Sequence, residues 1–361
     1  MIPRPVEDRL AKLRSFLPTL GVDAVFVSNL VNIRYLTGHS AEDAWLLVTS
    51  RKVFYITDFR YYELVSKALK GRAIEVVKFG DSLFGTVIEL AVGGKAKVLG
   101  FEENHLTYYQ FGRLKSFAGN KIKLKGLSGA IEALRAVKAQ AELLAIREAI
   151  KVNLRGFAFI GKFIKPGISE RDILYNFQDF IKQEQVEFAF PPIVASGPNS
   201  AYPHARVTER KLRASEPVLL DFGVEKNGYK SDLTRMFFLG KMPDSFKKSL
   251  LAIRGAQEAA FQKIRPGVPA KVVDATAREY LEKHGLARYF GHSLGHGVGL
   301  DTHEMPRLST KSGDDLLENM VVTIEPGVYF PGRYGVRLEE MVLITKNGCE
   351  VLSGYRDNGS L

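Results

Sequence analysis

The chain has 361 residues, 45% of them apolar and 25% charged, a globular composition at a length that suits two domains. No apolar run approaches the roughly 20 residues of a membrane span, and one cysteine, Cys349, excludes an intramolecular disulfide or a cysteine metal cluster. The net charge is +11, but the basic residues are scattered without an aromatic-basic motif, so nucleic acid is not an expected partner. The start, MIPRPVEDRLAKL, is charged and lacks a secretory apolar core, which makes the cytoplasm the expected compartment.

In chain order, Pro5 to Pro18 predicts an amphipathic helix, because Val6, Leu10, Leu13 and Leu17 keep helical spacing. Short β-rich runs follow at 24–27, 45–48 and 53–56. Helical stretches near 61–69 and 82–91 alternate with strands at 74–77 and 98–101, and a helix near 107–117 leads to a strand at 122–124. This alternation predicts an α/β layer. It carries no phosphate loop, dinucleotide fingerprint or acid constellation, so its expected work is architecture, subunit pairing or capping a site. Gly126, Ser128 and Gly129 then punctuate the chain and predict domains of 1–127 and 128–361.

A long helix is expected from Ala139 to Ile164, stopped by Lys165-Pro166-Gly167. Ser169, with Asp172 three residues on, caps the next. A stretch rich in proline, glycine and aromatics ends near His204, and Val218-Leu219-Leu220 runs into Asp221. Asn227-Gly228 is the strongest short signal for a two-residue hairpin loop. With that loop Lys226 pairs with Tyr229 and Asp221 opposes Thr234, which puts Asp232 diagonally on the face of Asp221. The same order recurs downstream. Helices are expected at 249–263 and 270–284 around Pro266-Gly267, followed by a glycine-rich run with His292 and His296, then His303. In the last hairpin a loop centred on Gly332 sets Glu325 across from Glu339. Two such αβ units about a pseudo-twofold axis bring four carboxylates to one centre.

Four carboxylates beside apolar runs cannot be buried cheaply as bare anions, so a positive partner is required. They are too many for one catalytic zinc, which takes three protein ligands. They suit two divalent ions, whose charge they neutralise and whose bound water becomes a nucleophile near neutral pH. The glycines around His292 and His296 argue against a helical zinc motif and suggest close approach of a ligand to the backbone. One of the two can supply a nitrogen ligand, and His296, flanked by glycine on both sides, is the better candidate. His204 and His303 hold equivalent places in the repeat and can donate hydrogen bonds to a substrate carbonyl or an oxyanion.

The stretches DFG with SDLTR, GHGVGL, HEMP, TIEPG and GVRLEE, in this order between about 200 and 340, resemble the pita-bread metallopeptidases, the family of methionine aminopeptidase, aminopeptidase P and prolidase. Residues 32–39, NIRYLTGH, are similar to the smaller creatinase-like domain of its proline-specific branch. The resemblance implies an α/β (α+β) chain: a creatinase-like N-terminal domain, for dimerisation or capping, before a pita-bread catalytic domain. It implies two divalent metal ions per chain, manganese or cobalt ahead of zinc or iron, held by Asp221, Asp232, His296, Glu325 and Glu339. It makes Glu325 also the proton shuttle, with His204 and His303 as catalytic contacts and His292 beside the site. Arg307 is a candidate for the substrate carboxylate, and Arg337 either for that role or for steadying the acids. The implied activity is cleavage of Xaa-Pro dipeptides by a homodimer, with aminopeptidase P, acting on longer peptides, as the alternative. A non-catalytic binding module on the same fold is disfavoured, since all five ligand positions are filled.

Overall fold

The computed structural model describes residues 5–354 and divides into two compact units, Met1–Arg135 and Ala136–Leu361. Among the described residues no helix is long and apolar enough to cross a membrane.

The first unit runs α1 (Pro5–Leu20), β1 (Ala24–Val27), α2 (Leu30–Thr37), β2 (Ala44–Thr49), β3 (Val53–Thr57), α3 (Phe59–Ala68), β4 (Glu75–Lys78), α4 (Leu83–Gly93), β5 (Val98–Glu102), α5 (Tyr108–Ala118), β6 (Lys123–Leu127) and α6 (Ala130–Ala136). Its strands form one sheet in the order β4-β3-β2-β1-β5-β6. The β3–β4, β1–β5 and β5–β6 pairs are parallel, and β1–β2–β3 is an antiparallel meander. The central strand, Ala24–Val27, is buried along its whole length, which is why it reads as an unbroken apolar run. Val6, Leu10, Leu13 and Leu17 of α1 are all buried. Thr107 closes a capping box on α5 with Gln110.

The division between the units falls later than residue 127. Part of the glycine-rich stretch is strand β6, and the short helix α6 follows it. That helix is tied to the first unit: Asn32 donates to Glu132 (2.7 Å), Arg135 to the side-chain oxygen of Asn32 (2.8 Å), and the Tyr35 hydroxyl to the Leu134 carbonyl (3.1 Å).

The second unit runs α7 (Gln140–Ile160), α8 (Glu170–Glu184), β7 (Glu187–Phe188), β8 (Ile193–Ser196), β9 (Pro217–Phe222), β10 (Val224–Lys226), β11 (Tyr229–Lys230), β12 (Leu233–Phe238), α9 (Asp244–Phe261), α10 (Ala270–Lys283), β13 (Gly295–Gly297), β14 (Glu304–Leu308), β15 (Val321–Ile324), β16 (Gly327–Phe330), β17 (Tyr334–Arg337), β18 (Glu340–Thr345) and β19 (Gly348–Val351). Helix α7 stops at Ile160, short of the expected Ile164, with Gly161 as its C-cap; α9 begins five residues before the expected Ser249. The strands form sheets in the orders β11-β10-β7, β12-β9-β8, β14-β13-β15-β18-β19 and β16-β17.

The duplication holds at the level of single hydrogen bonds. After α7, Gly167 at φ 93° donates to Leu212 O (2.9 Å), Leu212 N returns to Ile168 O (2.8 Å), and Glu170 N reaches Arg210 O (3.0 Å). After α9, Gly267 at φ 83° donates to Leu316 O (2.8 Å), Leu316 N returns to Val268 O (3.0 Å), and Ala270 N reaches Asp314 O (2.9 Å). Both glycines hold the left-handed backbone that other residues rarely adopt. This pita-bread unit has an apolar core of two clusters. One gathers Leu219, Ile253, Val273, Val322 and Val342; the other gathers Ile150, Phe177, Leu220, Phe222 and Met341.

Candidate metal centre

The register of both hairpins is the one the loops dictate. Lys226 pairs with Tyr229 and Asp221 with Thr234 in the first. In the second, Gly327 pairs with Arg337 and Ile324 with Glu340, so the register on either side sets Glu325 opposite Glu339. The ladders are not continuous, however. Asp232, Glu325 and Glu339 each lie in a gap between strands. A gap frees a side chain from strict alternation and lets it turn toward a common point.

A side-chain amide spans each gap. Asn153 of α7, fully buried, donates to Phe222 O (2.8 Å) and Ser231 Oγ (3.1 Å), next to Asp221 and Asp232 respectively. Gln257 of α9 donates to Ile324 O (2.8 Å) and Leu338 O (3.2 Å), the residues just before Glu325 and Glu339. The hairpins join at Thr234: its carbonyl accepts from Glu339 N (3.3 Å), and its hydroxyl donates to Glu339 Oε2 (2.8 Å). Buried Arg235 fixes the Glu339 carbonyl (2.6 Å) and the Glu340 carboxylate (2.9 Å).

Three overlapping groups result, each with ligand atoms within 4.8 Å of one another: Asp221, Asp232 and Glu339; His296, Glu325 and Glu339; and Asp232, His296 and His303. His296 Nε2 lies 3.4 Å from Glu325 Oε1 and 3.7 Å from Asp232 Oδ2. His303, not expected as a ligand, presents its ring edge to His296 with ring centres 4.2 Å apart.

Against these four acids the protein sets the cation Arg337, which is 3% exposed. Its guanidinium bonds Asp221 Oδ2, the Tyr329 hydroxyl (2.8 Å), Thr234 Oγ1 (3.1 Å) and Pro203 O (3.2 Å). These bonds suit the steadying of the acids, one of the two roles open to Arg337 in the sequence. His292 lies beside the site: its Nδ1 meets Ser293 O (2.8 Å) and its Nε2 meets the Tyr329 hydroxyl (3.0 Å), which in turn bonds Arg337. Arg307 is exposed, pairs with His296 across β13–β14, and touches Ser293 Oγ (3.2 Å). His204 is exposed on the loop after Pro203.

The electrostatics call for added positive charge. Burial, reinforced by Glu339 and Asp221, raises Asp232 well above the usual carboxylate range, and burial with Glu325 and Asp221 does the same to Glu339. Glu325 is pushed up to about 8, chiefly by burial, with Arg337 opposing and Asp221 adding. His296 is held down to about 3, mainly by burial, and therefore stays neutral, as a nitrogen ligand must. Asp221 Oδ1 is buried without a hydrogen-bond partner. An orphaned carboxylate oxygen, an anionic cluster and a neutral imidazole are the donor set of a divalent metal site.

Three glycines of the histidine stretch make room for the protein's own atoms, where the expectation was close approach of a ligand. A Cβ on Gly295 would lie 1.9 Å from Thr323 O, and one on Gly297 2.1 Å from Met305 O. One on Gly299 would lie 2.3 Å from a Glu304 carboxylate oxygen, and that carboxylate pairs with buried Lys138 at 2.7 Å. Neighbouring strands and one buried ion pair fill the space. Tyr329 escaped the sequence reading, yet its signal was there: it stands four residues after Glu325, on the same face of an alternating hairpin. Asn153 and Gln257 left no comparable trace.

Residues 145–346 match the model of metallopeptidase family M24, and residues 9–137 that of the creatinase/prolidase N-terminal domain. The chain is 35% identical to the uncharacterized peptidase YqhT of Bacillus subtilis (strain 168), over 96% of this chain and 97% of that one. Among solved structures it is similar to an Xaa-Pro dipeptidase from Bacillus anthracis (TM-score 0.93, 32% identity, 98% and 99% of the two chains). It is also similar to an X-Pro aminopeptidase from Thermotoga maritima (TM-score 0.87, 30% identity, 96% and 98%).

Proposed function

The chain belongs to metallopeptidase family M24 and is a peptidase, and we propose that it hydrolyses the Xaa-Pro bond of dipeptides with a pair of divalent ions. The observation that carries this reading is the gathering of four carboxylates around a neutral imidazole. Asp221, Asp232, His296, Glu325 and Glu339 would hold the ions. The oxygen-rich donors suit manganese and the imidazole adds affinity for cobalt, zinc or iron; of these we favour manganese or cobalt. Bound there, such ions would supply Lewis acidity and acidify a water molecule.

The roles of the chain's own groups follow from their chemistry. Glu325 takes the proton of the attacking water and returns it to the proline nitrogen, which has no hydrogen of its own. His303 and His204 donate hydrogen bonds to the scissile carbonyl as its oxygen gains charge. Arg307, exposed beside the histidine strand, receives the substrate carboxylate. Arg337 fixes one oxygen of Asp221 and leaves the other free. We assign the N-terminal unit to dimerisation and capping, the assembly to a homodimer and the compartment to the cytoplasm.

The second reading is an aminopeptidase acting on longer Xaa-Pro peptides, favoured by the likeness to the Thermotoga maritima structure. Turnover of Met-Pro is compared with release of the first residue from a tripeptide beginning Met-Pro, each with manganese, cobalt and zinc. Preference for the dipeptide supports the first reading; preference for the tripeptide, the second. Arg307→Ala separates them further. It raises KM for the dipeptide roughly tenfold if the arginine holds the carboxylate, and leaves the tripeptide unchanged.

A further inference from the structure

We propose that Glu170 is a positioning residue for His204, acting as the clasp of the loop that presents it. Glu170 opens α8 and is completely buried. It lies in neither hairpin and bonds none of the acids. Its Oε1 accepts from Ser196 N (2.7 Å), Ser196 Oγ (2.8 Å) and Asn199 Nδ2 (3.0 Å). Its Oε2 accepts from Thr208 N (3.1 Å), Thr208 Oγ1 (2.6 Å) and Asn199 Nδ2 (3.1 Å).

Ser196 ends β8, and Thr208 lies twelve residues on. One carboxylate therefore gathers both feet of a loop of the length and closure of an Ω-loop. The loop is irregular beyond its first turn, and His204 sits in its crown. The crown is held separately. Arg337 reaches Pro203 O (3.2 Å), and Gly335 N reaches Ser200 Oγ (2.9 Å). Arg337 also bonds Asp221, so the crown is registered against the acid cluster while Glu170 sets the spacing of its feet. Every direct donor to Glu170 is neutral, and all come from this one loop.

The other half places a buried acid differently, and it holds the segment of His292 rather than that of His303. The position equivalent to Glu170 is Ala270. There Asp274, fully buried on α10, accepts from Leu294 N (3.0 Å) and pairs with Arg278 (2.7 Å), which in turn holds the carbonyls of Phe290 (3.0 Å) and His292. The clasp of the His204 loop by Glu170 is therefore a feature of the first repeat alone among the bonds of the described residues.

The inference rests on His204 touching the substrate, and the test separates the two claims. Glu170→Gln, His204→Ala and the double variant are compared with wild type for kcat, KM and bound metal, and digested with trypsin, which cuts after exposed Arg206. Glu170→Gln turns an amide toward donors. It is expected to lower kcat/KM about tenfold to a hundredfold through misplacement of His204, with bound metal unchanged. In the His204→Ala background its further effect is expected to stay under about threefold, because partners acting through one group are non-additive. Cleavage after Arg206 is expected to speed up at least about tenfold.

An equal loss from Glu170→Gln in both backgrounds overturns the proposal, as does unchanged cleavage after Arg206. If His204→Ala retains wild-type kcat/KM, the assignment of His204 falls and the proposal with it. If His204→Ala is impaired while Glu170→Gln is not, only the proposal falls. Should Glu170→Gln fail to fold, Thr208→Val removes one donor and keeps the backbone N–H. The same non-additivity with His204→Ala is then expected at about threefold to tenfold, and full additivity overturns the proposal.

Discussion

Glu102 in the first unit and the acids of the metal centre are all enclosed carboxylates at strand ends, yet their surroundings are opposite. Glu102 accepts from Ser28 N (2.6 Å), Ser28 Oγ (3.2 Å), Asn29 N (2.7 Å) and Asn32 Nδ2 (2.6 Å). Both its oxygens are satisfied by the protein. In the centre, Glu339 accepts from one hydroxyl, Asp232 faces an imidazole at 3.7 Å, and one oxygen of Asp221 has no partner. Burial raises both Glu102 and Glu339, but for Glu102 the next influences are hydrogen bonds that pull it back down, whereas for Glu339 they are like charges that push it further up. A buried acid surrounded by donors is finished as structure. One surrounded by other acids waits for something to bind.

The sharpest way to break this contrast is to alter one acid in each class. Glu325→Gln with metal saturated is expected to cut kcat by about a hundredfold to ten-thousandfold, the usual worth of a general acid-base group, with little change in KM. Steady-state assay on a dipeptide checks it, and wild-type turnover would remove Glu325 from proton transfer. In the other class, the buried Lys138–Glu304 pair has a partner supplied by the chain. Lys138→Met removes the cation from a buried carboxylate, and thermal or denaturant unfolding is expected to show a loss of about 3–5 kcal/mol.

Metal removal sharpens the contrast through pH. The folded-state pKa of Glu325 is raised to about 8, against about 4.3 for an unperturbed glutamate. Between these values the folded metal-free protein binds more protons than the unfolded chain, so stability falls as pH rises. Asp232 and Glu339, also raised, act in the same direction. The melting temperature of chelator-treated protein is expected to decline from about pH 5 to about pH 8, and added manganese or cobalt should reverse the decline. A flat or rising profile would mean the acids are already compensated. Glu102→Gln is expected to cost less, about 1–3 kcal/mol for the donors it leaves unpaired, with bound metal and kcat unchanged. Lys52→Ala breaks a pair whose side chains are 64% and 54% exposed, and is expected to change stability by less than about 0.5 kcal/mol.

The repeat, the strand register and the convergence of four carboxylates were legible in the sequence because they follow from local rules. A two-residue Asn-Gly loop fixes every pairing down to Asp221–Thr234, and a loop centred on Gly332 does so for its hairpin. What was not legible depends on long-range packing. At the gaps beside Asp232, Glu325 and Glu339, Asn153 and Gln257, from helices far away in sequence, bond carbonyls of the hairpins. The glycines of GHGVGL were read as room for a ligand, since conformational freedom looks the same whether a substrate or a neighbouring strand occupies the space. Helix α6 was hidden by the small residues Gly126, Ser128 and Gly129 just before it.

The bonds between Thr234 and Glu339 have one consequence for assembly. Neither repeat owns a complete centre: each contributes two acids, and the strap between them joins residues more than a hundred positions apart in the chain. Tight capture of ions therefore reports that both repeats have closed on each other. A polypeptide halted after the first repeat would carry a hairpin with two acids and no mate.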